Sequence, residues 1–170
     1  MKLWQKDKAA LAEVEKFTVG NDKDLDIYLA PYDVLGSLAH IKMLESVGLL
    51  TKEELQSLET ALKEIYKQTE TGHFKLDEGV EDIHSQVELM LTQKLGDVGK
   101  KIHSARSRND QVLVDLKLFL RAEIEKVVIN TKELFDLLIS QSEKYKGDLL
   151  PGYTHLQLAM PSSFGSWFGA

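Results

Sequence analysis

Cysteine is absent from the 170 residues. That excludes disulfides and a thiolate metal site, and it fits a reducing cytosol. Only three prolines occur, Pro31, Pro151 and Pro161, so long stretches are free to be helical. No apolar run approaches the roughly 20 residues that a membrane helix needs. The opening Met1-Lys2-Leu3-Trp4-Gln5-Lys6-Asp7-Lys8 holds no apolar stretch that would serve as a signal peptide. With a formal net charge of -6 and no long Lys/Arg run, the chain is repelled by nucleic-acid backbones. What remains is a cytoplasmic globular protein of one to one and a half domains, with neither membrane nor nucleic acid as partner. Its 43% hydrophobic and 28% charged residues are ordinary for that class, and the length suffices to bury a core.

What is there reads as helix. Pro31 suits a first helical turn, Val34, Leu38, Ile41 and Leu44 recur at helical spacing, and Gly48 is a stop. Thr51-Lys52-Glu53-Glu54 reads as a capping box, with Thr51 the cap and Glu54 reaching back. Leu55, Leu58, Leu62 and Ile65 form the next stripe, ending near Gly72. A further helix runs from about Val80 to Leu95, with Ile83, Val87, Met90 and Leu91 inward. Gly96 and Gly99 open a loop to about Ser107 and do not make a dinucleotide or phosphate loop.

From Arg108 to Lys146 there is neither proline nor glycine. Leu113, Leu116, Leu120, Ile124 and Val127 make one stripe, continued by Leu134 and Leu138, and such a helix is more than about 50 Å long. Val112, Phe119, Val128, Phe135 and Ile139 are apolar on other faces. A helix apolar on several faces is covered on several sides, as in the centre of a bundle. Gly147 and Pro151 end it, a short loop Gly152 to Gln157 follows, and Pro161 starts another helix carrying Phe164, Trp167 and Phe168. Gly165 and Gly169 would let another helix approach closely. No strand pattern stands out. The sequence ends at Ala170 without a helix stop, which reads as a fragment cut inside an element.

Two polar clusters carry the candidate chemistry. His103-Ser104-Ala105-Arg106-Ser107-Arg108-Asn109-Asp110-Gln111, beside Lys100 and Lys101, crowds guanidiniums, hydroxyls and amides into a helix start. Exposed N–H groups and the positive dipole end attract anions there, and arginine adds a bidentate grip on a carboxylate. The plainer alternative is that Ser107 caps the helix and the arginines are solvated. Tyr153-Thr154-His155-Leu156-Gln157 is the second cluster, also just ahead of a helix. A histidine there exchanges protons near neutral pH, or is simply held in a loop. His84 and Glu88 share a helix face, but no third ligand suggests itself, so no metal is expected. His40 and His73 read as structural or solvated.

The segment His103 to Gln111, centred on Arg106-Ser107-Arg108-Asn109-Asp110-Gln111, resembles the first conserved segment of the argininosuccinate lyases. Pro151-Gly152-Tyr153-Thr154-His155-Leu156-Gln157 resembles the second, and Glu81-Asp82-Ile83-His84 also looks like the family. The wider superfamily includes fumarase, aspartase, adenylosuccinate lyase and the lens delta-crystallins. There are departures: the family often has Thr-Gly at Ser104-Ala105, and Gln and His at Met160 and Ser166. A family serine that contacts substrate falls in the stretch Phe17-Thr18-Val19-Gly20-Asn21-Asp22, and no role is carried over to a residue there. The third segment, a mobile Gly-Ser-Ser-x-Met-Pro-x-Lys loop bearing the catalytic base, would lie beyond Ala170.

The resemblance implies an all-α, fumarase/aspartase-like fold, truncated: an N-terminal helical domain over 1–107, then the start of a long-helix bundle over 108–170. It implies β-elimination of argininosuccinate to arginine and fumarate, in arginine biosynthesis, by a homotetramer without cofactor. Arg108 and Asn109 would hold substrate carboxylates, with Arg106, Ser107 and Gln157 as further contacts. Thr154 would donate to the succinyl end, and His155 would be the acid/base partner. These 170 residues alone would be inactive. The alternatives are another fumarate-releasing lyase of the superfamily and a non-catalytic, crystallin-like helical protein.

Overall fold

The computed structural model describes residues 17–18 and 20–170; the reading of Met1 to Lys8, and Val19 within the segment Phe17 to Asp22, lie outside them. The chain divides into two packed units, residues 1–120 and 121–170, and the boundary falls inside one continuous helix.

In the first unit α1 (Asp22–Asp26) passes through a 3-10 turn (Ile27–Leu29) into α2 (Ala30–Ser46), with Pro31 in its first turn. Thr51 caps α3 (Lys52–Glu70): its hydroxyl accepts from the Glu54 N–H at 3.2 Å and the Glu54 carboxylate accepts from the Thr51 N–H at 3.0 Å. This is the expected capping box. α4 (Ile83–Leu95) starts at Asp82, whose Oδ1 accepts from the Ser85 N–H at 2.7 Å. It ends at Gly96, where φ is +62°.

The three helices pack on one another because each turns an apolar stripe inward. Val34, Ile41 and Leu44 of α2 meet Leu58, Leu62 and Ile65 of α3 and Ile83, Val87 and Leu91 of α4. Each such side chain stabilises the unit by about 2 kcal/mol. Met90 lies at the edge of this core rather than within it.

Gly96 to Ser107 is more ordered than the expected loop. It forms α5 (Asp97–Lys100), a 3-10 turn (Lys101–His103) and a short link. Ile102 plugs this turn into the core. α6 (Arg108–Lys144) then runs for 37 residues, about 55 Å. Within the first unit its buried residues are Gln111 and Asp115, not leucines. Leu113, Leu116 and Leu120 face outward, as do Ile124 and Val127 further along.

In the second unit the sequence reading needs correcting. Residues 149–163 form an antiparallel hairpin, β1 (Leu149–Thr154) with β2 (Gln157–Ser163), where a loop and a helix start at Pro161 were expected. Pro151 pairs with Pro161. Proline fits a two-stranded ribbon because each strand has an edge that needs no donor. The last helix, α7 (Phe164–Gly169), starts at Phe164 behind Ser163, whose Oγ accepts from the Ser166 N–H at 3.0 Å. Gly165 does permit a close approach: a Cβ there would lie 2.5 Å from Lys146 Cα. Ser142 Oγ donates to the Gly165 carbonyl at 2.7 Å. The described residues are predominantly helical, as the sequence led us to expect, with this one hairpin added.

Candidate active site

The start of α6 is built from side chains that cap, clamp and bury. Ser107 Oγ accepts from the Asp110 N–H at 3.3 Å, while Asp110 Oδ2 accepts from the Ser107 N–H at 2.7 Å. That backbone hydrogen bond, with a second from the Ser107 hydroxyl, holds the Asp110 carboxyl below its usual range. Ser107 is thus the cap of the helix, and its hydroxyl is already engaged.

Arg106 is half-buried. Its Nη2 donates to Ser37 Oγ on α2 at 3.1 Å, and burial pulls the guanidinium below its ordinary value. His40 Nε2 donates to the Ser104 carbonyl at 2.8 Å and fastens the link that carries Arg106. Burial, before any other influence, lowers the His40 imidazole.

Arg108 reaches back to α4 rather than out to water. Its Nε lies 3.3 Å from Asp82 Oδ2, Nη2 donates to Ser85 Oγ at 3.1 Å, and Nη1 donates to Gln111 Oε1 at 3.3 Å. Asp82 therefore serves two helices at once, capping α4 with one oxygen and pairing Arg108 with the other. Asn109 is exposed.

The second cluster is not ahead of a helix. Thr154 and Gln157 are the last paired residues of the hairpin, and His155-Leu156 is its two-residue turn. Both turn residues have positive φ, 49° and 61°, as a type I′ turn requires. Glycine or asparagine normally takes these places, since L side chains there cost about 1–2 kcal/mol per residue. Leu156 is 99% exposed. Thr154 Oγ1 and His155 Nδ1 are 3.0 Å apart, and Thr154, His155 and Gln157 all face solvent. So Arg106, Ser107, Arg108 and Asn109 belong to one helix start in the first unit, and Thr154, His155 and Gln157 to one turn in the second.

A constellation that the sequence reading missed lies behind the helix start. His84 Nδ1 is 2.9 Å from Asp33 Oδ1 and 3.6 Å from Asp115 Oδ2. Gln111 Nε2 donates to the same Asp33 oxygen at 3.2 Å. All are buried. Burial, and next the charge of Asp33, push the Asp115 carboxyl up to about 7. Burial by itself pulls His84 down, but the hydrogen bond and charge of Asp33 carry the imidazole above its ordinary value.

One donor atom from each of Asp33, His84 and Asp115 falls within 4.8 Å of the others, close enough to surround a cation. Glu88, which shares a helix face with His84, is not in this set. The Arg106 guanidinium acts electrostatically on both carboxylates. The cluster thus sets the His84 imidazole and the Arg106 guanidinium against two buried carboxyls, an ion network within the fold. A signal for it was present in the sequence. Asp33 and Ser37 are four apart on the α2 stripe, and Gln111 and Asp115 are four apart on α6, each a polar pair at core spacing.

His84 also lines a cavity of about 550 Å³ in the first unit. Its wall carries Asp22, Asp26, Glu81 and Asp82, with Leu25, Tyr28, Val112, Leu116 and Phe119 as the apolar side. Asp26 Oδ2 accepts from the Ile83 N–H at 2.8 Å, and burial raises its carboxyl.

The sequence pattern of the family described as "Lyase" matches residues 7–170, and the chain belongs to that family. Among curated relatives, the argininosuccinate lyase of Bacteroides fragilis is 66% identical over 169 residues, covering 99% of this chain and 38% of that protein. The argininosuccinate lyase of Bacteroides thetaiotaomicron is 64% identical over the same length and coverage, and that of Thermotoga neapolitana is 44% identical, with 99% and 42% covered. The chain thus spans about two fifths of the curated relatives it matches. Among solved structures, a variant EDDS lyase with bound fumarate matches with TM-score 0.68 at 22% identity, over 95% of this chain and 32% of that one. That likeness shows a shared helical fold.

Proposed function

We propose that this chain is part of an enzyme that cleaves argininosuccinate into arginine and fumarate by β-elimination. The observation that carries the reading is the 66% identity to a relative named argininosuccinate lyase, over 99% of this chain. In the same reading the enzyme is a cytoplasmic homotetramer that needs no cofactor. Residues 1–107 form its N-terminal helical domain and 108–170 begin its central bundle. The outward apolar side chains of α6, from Leu113 to Ile139, support a bundle in which other helices cover them.

A base from elsewhere in the full protein removes a proton from the succinyl carbon next to a carboxylate. Charge collects on that carboxylate as an aci-anion, the C–N bond breaks, and an acid protonates the leaving guanidino nitrogen. Donors aimed at the developing charge supply most of the help, each worth about 3 kcal/mol. Arg108 and Asn109 hold substrate carboxylates, and a carboxylate reaches Arg108 by sharing its guanidinium with Asp82. Thr154 donates to the succinyl end and His155 is the acid/base partner, with Gln157 beside them. Their exposure on a hairpin tip supports insertion into a pocket of another subunit. Arg106 and Ser107 are further contacts, and each also holds the helix start together.

The test is fumarate release from argininosuccinate by the full-length protein, followed by ultraviolet absorbance. His155→Asn and Arg108→Ala are each expected to lower kcat/KM by about 100-fold or more. Near-normal kinetics in either variant removes that residue from the site. A full-length protein that releases no fumarate refutes the reading.

A further inference from the structure

Asp33 and Asp115 have no part in the elimination just described, yet each is 1% exposed. Two carboxylates this deep cost several kcal/mol unless other groups compensate them. They come from different helices and converge on one atom: His84 Nδ1 lies 2.9 Å from Asp33 Oδ1 and 3.6 Å from Asp115 Oδ2. A single N–H thus faces two acceptors. Gln111 fixes the Asp33 oxygen from α6 by donating to it at 3.2 Å. The second oxygen of Asp33, Asp115 Oδ2 and Arg106 Nε have no hydrogen-bond partner among the described residues.

His84 is the one member of this cluster that also lines the acidic cavity. Its ring is shared between the buried carboxylates and the cavity wall. We propose that Asp33 and Asp115 are positioning residues: from α2 and α6 they bracket Nδ1 of His84, hold the ring with its Nδ1–H inward, and so fix the orientation it presents to the cavity. The link to turnover rests on the lyase reading above. The charged groups around the ring act consistently. Asp33 and Asp82 favour the imidazolium while Arg108 opposes it. His84 and Arg106 favour the ionised Asp115 while Asp33, and more weakly Asp26, oppose it. Glu88 acts on Arg106 from α4. The clamp sets one imidazole between two carboxyls, hydrogen-bonded to Asp33 and within charge reach of Asp115.

The experiment is a pH titration of the His84 ring nitrogens by NMR, in full-length protein carrying ¹⁵N-histidine, with His84→Gln supplying the assignment. In the unsubstituted protein, Nδ1 of His84 is expected to carry its proton at neutral pH. Asp33→Asn and Asp115→Asn are each expected to lower the midpoint by about one pH unit or more. In the same variants kcat for argininosuccinate is expected to fall about 10–100-fold, with KM changed far less. A bare Nδ1 in the unsubstituted protein overturns the proposal, and this arm needs no variant to fold. A midpoint unmoved in folded variants overturns it as well. An unchanged kcat in a variant whose titration has moved breaks the link to turnover. Should the unsubstituted protein turn over no argininosuccinate, the lyase reading fails while the NMR arms still judge the clamp.

Discussion

Replacing Gly99 by alanine sets two effects of opposite sign against each other. Gly99 lies in α5, a helix of 4 residues, and alanine is intrinsically the better helix former by about 1 kcal/mol. Propensity alone therefore predicts a more stable protein. Packing predicts the reverse. A Cβ on Gly99 would lie 2.4 Å from the Leu91 carbonyl carbon, 2.5 Å from its oxygen and 2.6 Å from the Thr92 nitrogen. These are backbone atoms of α4 and have no rotamer to yield.

Restoring ordinary contact requires α5 to retreat by about 1 Å. Inserted methyl groups of this kind cost about 1–3 kcal/mol, and here the retreat also drags Ile102 from the core and Lys101 from its ion pair with Glu54. Only part of the propensity gain survives in so short a helix. We expect a net loss of about 2 kcal/mol, or about 4–8 °C in melting temperature for a unit of this size. Thermal unfolding followed by circular dichroism measures it, with Asp97→Ala as the exposed control. A Gly99→Ala protein melting at or above the parent would refute the close-packing account.

Stability should fall as pH rises from 3.8, the ordinary value of an aspartate, to about 7. Asp115 is raised to about 7 in the fold, so the folded state binds its proton more tightly than the unfolded chain, and that advantage disappears as the proton leaves. His84 is raised too, so its contribution is full below its ordinary value and is lost above its folded one. Melting temperatures across that range test the sign, and Asp115→Asn should flatten the curve. Asp82→Ala should destabilise by about 1–2 kcal/mol through the lost α4 cap, whereas Asp82→Asn should keep most of the cap; denaturant midpoints of the two separate capping from the Arg108 ion pair. Leu156→Gly should relieve the positive φ at the hairpin tip and slow hydrogen exchange of the Thr154 and Gln157 amides by up to about tenfold; equal or slower exchange in the parent would count against strain at that turn.

Local signals were legible in the sequence. The Thr51/Glu54 box needs four residues to be seen, and it formed as read. The long helix was announced by the lack of proline and glycine between Arg108 and Lys146. The hairpin was hidden because its turn carries His155-Leu156 where asparagine and glycine usually announce a type I′ turn, and because Pro151 and Pro161 look like breakers until they are seen to face each other. The buried ion network was hidden by distance along the chain. Asp33, His84 and Asp115 sit on three helices, and no local pattern tells which helices will meet. The arginines were legible as a group but not individually. Spacing could not show that Arg106 turns inward to Ser37 while Arg108 turns back to Asp82.

The three-way grip of Arg108 limits what evolution or engineering can do at that position. Its planar fork addresses a carboxylate, a hydroxyl and an amide oxygen in three separate directions. A lysine would retain the positive charge, yet its single ammonium head could satisfy Asp82 only by abandoning Ser85 or Gln111. Charge-conserving exchange there would loosen the seam where the fourth and sixth helices meet.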